Sequence, residues 1–245
     1  MSIDYASTRF PVRSDFAAAH QRFWDRLAEP GQWWTAAERC AIAAEVREAF
    51  QCATCRARKA ALSPFAVDGP HAHASDLDEA VRDVVHRVAT DASRLTRTWF
   101  DKTRRAIMSD EAYVEVVGTV VALVSIDQFC SALGLPLHPL PAPQPGSPTR
   151  YRPRSAQLED AWVPLVPAQN AGTPEADLWI SGRTGNVIRA MSLVPDEVRT
   201  LSDLSSVHYL PNQQVRDPSA SQGQLDRAQM ELVAGRVSAL NGCFY

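Results

Sequence analysis

Cys52-Ala-Thr-Cys55 is the one paired-thiol motif in the chain. Two residues between cysteines suit a dithiol that closes to a disulfide across the first turn of a helix. With a helix starting at Cys52, free amide groups and the positive end of the helix dipole stabilise a thiolate there. Arg56, Arg58 and Lys59 add positive charge beside it. Both effects lower the thiol pKa, and the thiolate is the nucleophile. The same cysteines admit a second reading, because His71-Ala-His73 completes the pattern C-x2-C-x15-H-x-H. Two thiolates and two imidazoles satisfy tetrahedral zinc, although zinc fingers usually place about three to five residues between the histidines. Gly69-Pro70 put His71 and His73 on a loop. A third reading is a buried structural cysteine pair, and all three stay open here.

The other candidates are less specific. Cys40 and Cys130 lie on apolar helix faces and read as buried thiols. His20 and His86 lie within helices as packed or surface residues, and His138 and His208 have no partner visible in the sequence. There is no Ser/His/Asp arrangement, no glycine-rich phosphate loop and no paired-carboxylate motif, and nothing calls for a cofactor. Trp33-Trp34 reads as packing.

The elements that must position these residues are helices. Apolar residues recur at three- to four-residue spacing over Asp15–Ala28, Thr35–Gln51, Leu77–Leu95 and Glu111–Leu133. Thr35 with Glu38 forms a capping-box pattern, and Glu29-Pro30-Gly31 ends the helix before it. Asn186–Leu193 and Pro195–Ser206 read as short helices, Gln224–Leu240 as an amphipathic one, and Trp162–Pro167 and Trp179–Gly185 as irregular. Seven of the 17 prolines lie between Pro136 and Pro153, so this stretch is extended linker or surface loop. The expected architecture is all-α, with a lobe over 1–135, a proline-rich linker over 136–155 and a second lobe over 156–245. An internal echo supports two related lobes: Ile42, Val46 and Cys52 align with Val233, Val237 and Cys243.

Composition narrows the classes. In 245 residues the net charge is −3, which gives no basic field for nucleic acid or anionic lipid. Five cysteines are too few and too spread for a disulfide framework. Met1–Arg9 lacks a signal pattern, and the apolar run Val116–Ile126 is too short to span a bilayer. These features point to a soluble, cytoplasmic protein without a nucleic-acid or membrane partner.

The segment from Leu225 to Tyr245, LDRAQMELVAGRVSALNGCFY, resembles the AhpD-like alkylhydroperoxidase and carboxymuconolactone-decarboxylase-like superfamily of all-α redox proteins. Members carry a helix with a glutamate, an Asn-Gly break, then C-x-x-C-x-x-x-H. The resemblance makes Glu231 the proton-relay glutamate and Cys243 the first, resolving cysteine. Asn186–Pro195 is similar to the helix before the family's active-site hairpin, and Ser109–Leu135 to a helix of two-lobed peroxidase-related members. The implied activity is reduction of a hydroperoxide, with an external dithiol as reductant and a homo-oligomeric assembly. Cys52 and Cys55 are a second, atypical candidate pair, with Lys59 where the family has histidine and Cys40 where it has glutamate. The second cysteine of the C-terminal motif would be the residue after Tyr245. One expectation is therefore that a selenocysteine codon is read there as a stop, and a simple truncation is the alternative. Either way, little peroxidase turnover is expected at Cys243.

Overall fold

A computed structural model describes residues 2–169, 173–179, 185–211 and 213–243, without the side chains of Arg104 and Arg105. Phe244, Tyr245 and the 180–184 part of the irregular Trp179–Gly185 stretch lie outside these residues. The fold is all-α, and no strand occurs among the described residues beyond two isolated bridges.

Local chemistry sets the helix boundaries. Helix α1 (Ser14–Ala28) turns Ala19, His20, Phe23, Trp24 and Leu27 inward and stops before Pro30. Helix α2 (Ala36–Ala49) opens on the expected capping box, in which the Thr35 side chain accepts from the Glu38 backbone N–H. Helix α3 (Ala53–Ala60) has Cys52 at its N-cap. Asp78 caps α4 (Glu79–Asp91), and Thr96 caps α5 (Arg97–Ala106), an element that the sequence pattern did not single out. Ser109 caps α6 (Asp110–Ala132). After the proline-rich stretch come the single turn α7 (Asn186–Arg189), then α8 (Pro195–His208) and α9 (Arg227–Leu240).

Helix α6 is the central post, packed by α2, α4 and α8. The apolar run 116–126 is thus the middle of a 23-residue helix that is long and apolar enough to cross a membrane. This corrects the expectation from the run alone. More than half of α6 is buried inside the fold, including Val116, Val120, Leu123 and Ile126, so core packing accounts for its apolarity.

The apolar interior forms two clusters. The larger joins α1, α2, α4 and α6 with Leu204 and Val207 of α8. The smaller gathers Phe100, Val114, Val163, Leu178, Leu193 and Val198. Residues from both sides of the proline-rich stretch contribute to each. That stretch lies along α1: Gln144 N donates to Ala28 O at 2.7 Å, and Trp24 Nε1 donates to Pro139 O at 2.8 Å. At the α6–α8 contact, Gly118 leaves room for the Glu197 carboxylate, which a Cβ would overlap at 2.1 Å. Arg39 lies 3.3 Å from Glu115 and 3.9 Å from Glu197, and burial pushes the Glu197 carboxyl up to about 7.

Candidate metal centre

Three chain segments converge on one buried cluster. Cys52 and Cys55 come from the first turn of α3, His71 from the following loop and His86 from the middle of α4. One donor atom from each lies within 4.8 Å of all the others. His71 Nδ1 is 3.7 Å from Cys52 Sγ and 3.5 Å from Cys55 Sγ, and His86 Nδ1 is 3.2 Å from Cys55 Sγ. With metal–sulfur bonds of about 2.3 Å and metal–nitrogen bonds of about 2.0–2.1 Å, a tetrahedron has S···N edges of about 3.5 Å. The observed separations bracket that value. The two cysteines are only 1 % and 2 % exposed and His86 is fully buried.

The outer atoms of both imidazoles are tied to carboxylates. His71 Nε2 is 2.9 Å from Asp83 Oδ1, and His86 Nε2 is 3.1 Å from Glu45 Oε2. A carboxylate on Nε2 holds the proton there, so each ring offers the lone pair of Nδ1 to the thiols. Glu45 in turn accepts from the Ala74 backbone N–H at 3.0 Å and the Ser75 hydroxyl at 2.5 Å, fixing the loop that carries His71. Asp83 also pairs with Arg58 and Arg87.

Without a metal, these contacts move protons. Burial pushes the Cys52 thiol up, but the Cys55 backbone N–H, His71 and the Ala72 backbone N–H outweigh it, and the pKa falls to about 7. Burial opposes charge on His71, yet Asp83 and both thiols raise it to about 10. Burial lowers His86, with Glu45 only partly offsetting it. Asp83 falls to about 2 against its burial, held down by His71 and Arg87.

Of the residues in the C-x2-C-x15-H-x-H pattern, the structure brings Cys52, Cys55 and His71 together but not His73. The chain around His73 is tied down at Ala74 and Ser75, leaving His73 exposed, and His86 completes the set. His86 was missed because it stands among Val84, Val85 and Val88 and reads as core. Its signal was Asp83 one turn earlier on the same face, together with the charged Glu45 on a packed face of α2.

The two other candidate site residues lie elsewhere. Glu231, on α9, bonds the Tyr209 hydroxyl and Arg227 Nε, and Cys243 is exposed just beyond the end of α9. No described residue of α9 is buried, and Leu232, Val233 and Val237 stand more than half exposed.

His138 and His208, partnerless in sequence, belong to a second histidine cluster with Tyr5 and His20. The Tyr5 hydroxyl is 2.5 Å from His20 Nδ1 and 3.1 Å from His138 Nε2, and His20 Nε2 is 2.9 Å from His208 Nε2. Phe16 and Phe129 pack edge-on against His20. Burial, followed by the neighbouring histidines, lowers His20 to about 3.

No family model matches the chain, and no curated protein or solved structure matches it significantly. The chemistry of this protein must be read from the clusters themselves.

Proposed function

We propose that Cys52, Cys55, His71 and His86 hold a zinc ion in a closed tetrahedral centre, making this a metal-stabilised helical protein. The observation that carries the reading is the orientation of both imidazoles. Each aims Nδ1 at the thiols while a buried or half-buried carboxylate takes Nε2, the outer-shell arrangement of a metal-ligating histidine. Two sulfurs and two nitrogens in a tetrahedral set select zinc over the oxygen-preferring cations. Four protein ligands in a buried site leave no open position, so the role is to brace α2, α3 and α4 against one another.

Metal analysis of the purified full chain tests this. About one zinc per chain is expected, together with cobalt exchange giving the absorption of a tetrahedral thiolate site. A folded chain that neither carries nor takes up one equivalent of metal would overturn the reading.

A second reading uses the same thiols for hydroperoxide reduction, and one contact favours it: Cys55 Sγ meets His86, which is backed by Glu45. The Cys55 thiolate attacks the outer peroxide oxygen, and the O–O bond breaks. The alcohol leaves with a proton from His86, and Cys55 becomes a sulfenic acid. Cys52 displaces its oxygen as water to form a disulfide, and an external dithiol restores both thiols. Glu231 and Cys243, to which the family resemblance gives the relay and resolving roles, take no part in these steps; Glu231 bonds Tyr209 and Arg227 instead. Hydroperoxide turnover by chelator-treated, metal-free protein, lost in Cys55→Ser, separates this reading from the first.

A further inference from the structure

A surface cavity of about 630 Å3 opens between α4, α5 and the turn at Pro64–Ala66, within the usual size range of small-molecule sites. Its one connection to the metal centre is Asp83, the carboxylate behind His71. Phe65, Trp99 and Ile107 form its apolar walls, and Arg87 and Lys102 supply cations. Arg87 is positioned in advance: its guanidinium lies 5.4 Å from the Phe65 ring centroid and 6.0 Å from that of Trp99. Its hydrogen bonds to both oxygens of Asp83 run from Nε. The paired Nη groups are left for a planar anion, which a guanidinium fork binds in two-point fashion.

Charge narrows the ligand class. Asp83 is offset by Arg58, which lies 3.3 Å away just outside the cavity lining. Arg87 and Lys102 then face one further carboxylate in the lining, Asp68, so the cavity carries about one positive charge in excess. That excess matches a monoanion and undercompensates a phosphate dianion. The flanking rings ask for a flat apolar body, since aromatic surface is buried best against aromatic surface.

We infer that this α4–α5 cavity binds a small aromatic monocarboxylate, anchored by Arg87 and Lys102 with its ring packed on the apolar wall of Phe65, Trp99 and Ile107. The inference rests on these walls and stands whichever chemistry the cysteine site performs.

Titration calorimetry on the full chain, with benzoate, benzamide and inorganic phosphate as probes, tests it. Benzoate should saturate one site per chain, with benzamide and phosphate binding at least about tenfold more weakly. Lys102 is exposed, so Lys102→Gln should fold normally, which an unchanged unfolding midpoint and metal content would verify. In that variant benzoate should bind about tenfold more weakly. Equal binding of benzamide, absence of saturation by benzoate, or an unaltered benzoate affinity in Lys102→Gln would each overturn the inference. Metal content, measured on the same samples, reports separately on the cysteine site.

Discussion

Two buried histidine clusters sit in this fold and differ in what stands behind the rings. In the cluster of Cys52, Cys55, His71 and His86, every imidazole has a carboxylate on Nε2 and thiol sulfur at Nδ1. In the cluster of Tyr5, His20, His138 and His208, the partners are a phenol and other imidazoles, walled by Phe16 and Phe129. The first set combines donors with compensating negative charge and can accept a dication. The second is a network in which both nitrogens of His20 meet uncharged partners and no hydrogen bond among the described residues ties its imidazoles to a carboxylate, so a charge placed on His20 is poorly met. Burying histidine is therefore not enough to build a ligand. The second shell decides.

The sharpest way to break this contrast is to remove one imidazole from each cluster. His86→Ala should lose bound metal and destabilise the fold by at least about 3 kcal/mol, the scale expected when a structural metal is lost. His20→Phe should keep the metal and cost about 1–3 kcal/mol for the polar partners it strands. Metal content and urea unfolding read both. Metal retained in His86→Ala would end the argument that His86 is a ligand.

A smaller effect probes the second shell directly. Glu45→Gln keeps the shape but gives up the charge behind His86 and the strong acceptor for Ser75. Zinc affinity should fall by about 10- to 100-fold, measured by competition with a chromophoric chelator, while the folded state persists. Glu231→Gln, altering the glutamate that the resemblance singled out, should leave zinc affinity unchanged because Glu231 bonds Tyr209 and Arg227 on α9 instead.

How far the sequence spoke depends on which level is asked. The helices were legible because caps and periodicity are local: Thr35 with Glu38 and the recurring apolar residues of α1 and α6 do what their spacing requires. Three of the four candidate ligands were legible for the same reason, lying within a short stretch around C-x-x-C. His86 was not, since only the packing of α4 against α3 brings it to Cys55, and no sequence spacing encodes that approach. The internal echo shows the limit from the other side. Val46 and Val237 occupy matching positions before matching cysteines, yet Val46 is 1 % exposed and Val237 is 52 % exposed. A helix followed by a cysteine becomes a donor site where surrounding elements bury it and bring imidazoles and carboxylates to it. Around Cys52 they do so. The exposed apolar face of α9 lacks that enclosure within the described chain.

The smallest predicted effect is the acid sensitivity of the neutral cluster. Burial and its histidine neighbours hold His20 at about 3, far below the ordinary value of 6.5, and burial lowers His138 and His208 as well. Between pH 6.5 and about 3 the unfolded chain binds a proton at residue 20 that the folded chain does not, so stability falls as the solution is acidified through that window. For one histidine the slope is at most about 1.4 kcal/mol per pH unit. Metal release also costs stability in acid, so the wild-type profile alone does not isolate the cluster, whereas the difference from His20→Phe does. Urea midpoints measured from pH 7 to pH 5 should fall less steeply in the variant. Parallel profiles would show that His20 takes up its proton in the folded protein as readily as in the unfolded chain, and with that the neutral network, and its contrast with the carboxylate-backed cluster, would be lost.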